Sequence, residues 1–90
     1  MRKIWKFPVP VTDELAQTLP HGAKLLSVQC QGASEVPCLW TEVDPDALPQ
    51  ARRFSWYGTG HPLPDEPGAY IGTVQLHAGA LVFHLYARAD

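Results

Sequence analysis

Tyr70-Ile71-Gly72-Thr73-Val74-Gln75-Leu76, His77-Ala78-Gly79-Ala80 and Leu81-Val82-Phe83-His84-Leu85-Tyr86 form the stretch that decides the fold. Apolar residues recur at alternate positions on both sides of Ala78-Gly79. That period marks two strands joined by a tight turn, where glycine accepts a positive φ. With Ala78-Gly79 as a two-residue turn, Leu76 faces Leu81, Val74 faces Phe83 and Gly72 faces Leu85 on a dry face. The opposite face sets Gln75 against Val82, Thr73 against His84 and Ile71 against Tyr86. A mixed face of this kind suits a rim, a pocket or an interface.

The same period runs upstream. Residues 3–11 place Trp5, Phe7, Val9 and Val11 on one side, with Pro8 and Pro10 on the other, which predicts an edge strand. Ala23 to Gln31 and Val36 to Val43 read as a hairpin centred on Ser34. Cys30 would then oppose Cys38, and Val28 would oppose Trp40. In this register Leu26, Val28 and Cys30 share a face. Asp44 to Pro49 reads as an acidic loop, and Arg52 to Tyr57 as a strand with Phe54 and Trp56 on one side. Residues 12–19 allow two readings. Thr12 before Asp13 and Glu14 fits a helix cap with acids in the first turn, giving one short helix over 12–19; an extended segment fits as well.

The expected fold is therefore all-β: a single domain over residues 1–90, a small antiparallel sandwich or barrel of six to seven short strands. Nine prolines and seven glycines in 90 residues agree with short strands and frequent turns. A domain of this size buries only about 60–65% of its unfolded surface, so partner subunits are expected.

Composition narrows the function. The net charge of −2 and an isoelectric point near 6.0 argue against a basic surface for nucleic-acid polymers. No apolar run reaches the roughly 20 residues needed to cross a bilayer, so no membrane partner is expected. Met1 to Phe7 is basic without a long apolar run, so no signal peptide is expected either. The two cysteines lack zinc-site spacing, and no two of the four histidines sit at a metal-binding interval on a helix. No metal and no cofactor are expected. No nucleophile motif is present, so no catalytic residues are assigned.

Gly58-Thr59-Gly60-His61 is the most suggestive short string. It is neither a P-loop nor a dinucleotide fingerprint, but two glycines around a threonine can expose consecutive amides to an anion. Arg52 and Arg53 precede it and could hold phosphate. Nine aromatic residues exceed what one small core needs; flat rings can stack on a base or fill an interface. The expected binding residues are Arg52, Arg53, Trp56, Tyr57, Gly58, Thr59, Gly60, His61, Thr73, His84 and Tyr86.

Several strings taken together carry a resemblance: Lys3-Ile4-Trp5-Lys6-Phe7, Gly22-Ala23-Lys24-Leu25-Leu26-Ser27-Val28-Gln29, Pro37-Cys38-Leu39-Trp40, Gly58-Thr59-Gly60-His61, Tyr70-Ile71-Gly72-Thr73-Val74-Gln75-Leu76 and Gly79-Ala80-Leu81-Val82-Phe83-His84. Over nearly the whole chain they resemble a family of small accessory proteins encoded by tailed phages and prophages. The resemblance implies a compact protein acting in the bacterial host cytoplasm, and it brings no catalytic residues. By analogy of genome context it implies counter-defence: a non-enzymatic homo-oligomer that sequesters a nucleotide-derived immune signal, such as a cyclic ADP-ribose-like molecule or a cyclic nucleotide. The alternative is a protein-binding inhibitor or virion accessory protein acting through an aromatic and acidic surface.

Overall fold

The computed structural model describes residues 1–89. Seven strands run in chain order: β1 (Lys3–Pro8), β2 (Glu14–Pro20), β3 (Lys24–Cys30), β4 (Pro37–Val43), β5 (Pro49–Gly58), β6 (Ala69–Leu76) and β7 (Leu81–Ala87). They form two sheets, β1-β4-β3 and β2-β5-β7-β6, and every pairing is antiparallel. The fold is an all-β sandwich with no helix among the described residues. Val9, Val28, Leu39 and Val43 on the three-stranded side meet Leu19, Phe54, Trp56, Val74 and Leu85 on the other. Burying these apolar faces against each other is the main stabilising term.

The short helix over 12–19 is not formed. Leu15, Gln17 and Leu19 turn inward while Glu14, Ala16 and Thr18 face solvent, and β2 pairs with β5 along its whole length. A helix here would forfeit that ladder, so tertiary pairing overrides the local cap signal. Thr12 does not cap; its hydroxyl donates to the Glu14 carbonyl at 2.9 Å.

The 3–11 strand is shorter than expected, ending at Pro8, but β1 does lie at a sheet edge. The expected Cys30–Cys38 register is off by one. Cys30 pairs with Pro37, Gln29 with Cys38, Val28 with Leu39 and Ser27 with Trp40. A one-residue shift exchanges the faces of a strand. Pro37, Leu39, Thr41 and Val43 therefore fill the core side of β4, and Trp40 looks outward. A bulge between Leu25 and Ser27 also removes Leu26 from the Val28 face and leaves it 41% exposed. Both cysteines are free and half-buried. Burial first, then the neighbouring Glu35 and Cys38, raises the Cys30 thiol pKa above its ordinary value.

The last hairpin keeps its expected register from Leu76–Leu81 to Gly72–Leu85. Two details differ. The connection is a four-residue turn, with His77, Ala78 and Gly79 all at positive φ, fastened to the loop between β3 and β4, where the His77 amide donates to the Glu35 carboxylate at 3.0 Å. In addition, a bulge between Tyr70 and Gly72 sets Tyr70, not Ile71, opposite Tyr86. The bulge keeps Gly72 facing inward, where Val28 Cγ1 lies 2.8 Å from the place a Cβ would occupy.

Candidate binding site

The outer face of β5, β7 and β6 carries the site. Alternation along β7 buries Leu85 and Ala87 and turns Val82, His84 and Tyr86 outward. Register then sets Tyr57 and Thr73 on either side of His84, and Ser55 and Tyr70 on either side of Tyr86. Tyr86 makes edge-on contacts with both Tyr57 and Tyr70, each at a centroid separation of 5.6 Å. These are the only three tyrosines in the chain, and all three meet on this face.

His84 is held at both ring nitrogens. Its Nε2 lies 2.7 Å from Thr59 Oγ1, and its Nδ1 lies 2.8 Å from Thr73 Oγ1. Tyr70 Oη lies 2.5 Å from the same Thr73 oxygen. Thr59 Oγ1 also sits 3.4 Å from the Val82 carbonyl, to which it donates. One direction of donation satisfies the whole chain with a neutral imidazole: Tyr70 to Thr73, Thr73 to Nδ1, Nε2–H to Thr59, and Thr59 to Val82. The ring is thereby fixed in position.

The Gly58-Thr59-Gly60-His61 turn closes this face at the end of β5. The Thr59 amide donates to the Val82 carbonyl at 3.1 Å, and the His61 amide to the Gly58 carbonyl at 3.0 Å. The His61 ring folds back over Gly58, with Nδ1 2.8 Å from where a Cβ would stand. The folded ring divides two depressions. One, of about 280 Å³, is lined by Tyr57, Gly58, Thr59, Gly60, His61, Leu63, His84 and Tyr86. The other, of about 480 Å³, shares Tyr57, Gly58 and His61 and extends past Asp13, Glu14 and Ser55. The Ser55 hydroxyl is buried with no hydrogen-bond partner.

Of the expected binding residues, Tyr57, Gly58, Thr59, Gly60, His61, His84 and Tyr86 share the smaller cleft, and Thr73 supports it through His84. Three lie outside the smaller cleft. Trp56 is 4% exposed, packs in the core and donates from its indole to the Val9 carbonyl at 3.1 Å, and it borders only the larger depression. Arg52 turns away and reaches the Ala23 carbonyl at 3.4 Å. Arg53 is half-exposed, with Nη2 3.9 Å from Glu14 Oε2, and Arg88 also pairs with Glu14. Of the expected amide donors, Thr59 is already used within the fold, donating to the Val82 carbonyl.

Sequence reasoning missed Tyr70, Leu63 and the Asp13–Glu14 wall. The bulge hid Tyr70; Gly72 beside it was the one available signal. No group of three or more His, Cys, Asp or Glu residues placed to hold a metal ion exists among the described residues. No described helix is long and apolar enough to cross a membrane.

Fold and cleft together define a small β-sandwich with a tyrosine- and histidine-lined outer depression. The chain belongs to the DUF7352 family, described as a domain of unknown function, which matches residues 1–90. No curated protein and no solved structure matches it.

Proposed function

We propose that this protein is a non-catalytic binder that captures a nucleotide-type ligand by its base in the cleft between Tyr57, His84 and Tyr86. The observation that carries this reading is the convergence of all three tyrosines on a histidine whose two nitrogens are both occupied. Rigid aromatic faces suit stacking on a flat heterocycle. In the direction of donation given above, Thr59 places its proton on the Val82 carbonyl and not on His84, so the two are not set as nucleophile and base. Small-ligand pockets start at roughly 300 Å³, so the cleft of about 280 Å³ fits a base. The larger depression beyond His61 has room for the sugar and phosphate. Arg53 and Arg88, both paired with Glu14 at the edge of that depression, are the cations that would exchange its carboxylate for a phosphate.

The resemblance to phage accessory proteins supplies the setting. In this reading the protein acts in the host cytoplasm as a homo-oligomer that sequesters a cyclic nucleotide or cyclic ADP-ribose-like signal. The test is retention followed by release. The protein is mixed with a panel of these molecules, freed of unbound ligand, heat-denatured, and the supernatant chromatographed. Recovery of intact ligand in stoichiometric amount is expected. Cleaved ligand would make the protein an enzyme, and no retention of any panel member would remove the reading.

A further inference from the structure

The outer face of the three-stranded sheet carries a second surface, unrelated to the tyrosine cleft. Register sets Ile4 and Lys6 of β1, Cys38, Trp40 and Glu42 of β4, and Ser27 and Gln29 of β3 on one side. The bulge in β3 adds Leu26. Ile4, Leu26, Ser27, Gln29 and Trp40 line a groove of about 350 Å³. Ile4 is 62% and Leu26 41% exposed. A bulge re-aims a side chain; here it takes a leucine that could have joined Val28 in the core and sets it beside Trp40. That arrangement forgoes burial within the chain, as expected of a surface that gains it from a partner.

Charge says which partner. Three of the seven Lys and Arg residues, Arg2, Lys6 and Lys24, lie on this side of β1 and β3 or next to it, while Lys3 alternates to the other side. The three strands of this sheet carry one acid, Glu42, and Arg2 pairs with it at 2.6 Å. The chain is acidic as a whole, yet this face is basic around an apolar centre. Its apolar contacts are two aliphatic side chains and one indole, which match peptide side chains better than a run of stacked bases. We infer that this face docks an acidic protein segment, one that lays leucine- or phenylalanine-type side chains into the Ile4–Leu26–Trp40 groove while its carboxylates meet Lys6 and Lys24. Opposed charges of this kind steer association and fix register.

The test uses the full chain, labelled with ¹⁵N, and a short synthetic peptide alternating glutamate with leucine. Its lysine-for-glutamate counterpart, an oligothymidylate and phosphatidylglycerol vesicles serve as competitors. Saturable shifts of the Ile4, Leu26 and Trp40 amides are expected with the acidic peptide, weakening as salt is raised. The exposed double variant Lys6→Glu/Lys24→Glu is expected to bind about tenfold more weakly with its spectrum otherwise intact. Tighter binding of the oligonucleotide, the vesicles or the basic peptide would overturn the inference. So would concentration-dependent shifts of the same amides without peptide, which would mark a second copy of the chain as the occupant. The absence of any saturable shift would overturn it as well. None of these outcomes depends on the tyrosine cleft, which lies on the other sheet.

Discussion

Phe54→Ala is expected to lower the unfolding free energy by about 3–5 kcal/mol and the melting temperature by at least ~12 °C. Phe54 is fully buried and the largest such side chain among the described residues. It sits on β5, the strand shared by the pairings to β2 and β7, opposite Leu15 on one side and Ala87 on the other. Truncation leaves a cavity between the two sheets, where neighbours anchored in ladders relax little. A domain of this length has roughly 5–13 kcal/mol of stability in total, so the loss removes a large part of it. Urea denaturation checks the value, and a change under ~1 kcal/mol would show that the core is not organised around this strand.

Gly68→Ala is expected to be damaging for a different reason. Gly68 has φ +99°, a conformation that side chains rarely adopt. A Cβ there would also lie 2.9 Å from the Ala87 carbonyl carbon, and closer still to its oxygen. Ala87 is held by both Phe54 and Ala69, so its backbone yields only at the cost of two pairings. Strain and overpacking together are expected to cost at least ~2 kcal/mol. Gly22→Ala provides the control. Gly22 also has a positive φ, +77°, but has nothing within 4 Å of a Cβ, so only the conformational cost of about 1–2 kcal/mol is expected. Equal losses in the two variants would mean that the contact with Ala87 contributes nothing.

Much of this fold was legible because period-two alternation is a strong signal where one face of a strand is buried. The β6–β7 register and the outward row of Thr73 and His84 follow from it directly. Bulges hid the rest. A bulge adds one residue to one strand and leaves no fixed sequence mark, so Leu26 and Tyr70 each ended on a face that strict alternation does not give them. The β3–β4 register failed for a related reason. Val36, Cys38 and Trp40 are as apolar as Pro37, Leu39 and Val43, so alternation alone could not say which set faces the core. Residues 12–19 misled because a cap signal is local, whereas pairing to β5 spans the whole strand.

In the site, Tyr57, His84 and the Gly58–His61 turn were legible because they end or face a well-marked hairpin. Charges were not. Arg52 and Arg53 adjoin the turn in sequence, but adjacent residues on a strand point to opposite faces. Arg52 was thus directed away from the cleft and Arg53 toward Glu14, an acid contributed by a strand that the sequence had left undecided. Trp56 shares a face with Phe54 and is buried with it, so a ring expected to stack on ligand packs in the core and only borders the larger depression.

Because Tyr57, Tyr70 and Tyr86 are the only tyrosines, two lining the cleft and Tyr70 packed edge-on against Tyr86, their ring signals report on this face. The most direct measurement is a titration of protein carrying ¹³C-labelled tyrosine with cyclic AMP and a cyclic ADP-ribose isomer. Saturable shifts of the Tyr57 and Tyr86 rings, from a base stacked against them, are predicted for at least one of these ligands. Tyrosine signals that stay unchanged at millimolar concentrations of both would contradict the proposal that this cleft takes a base.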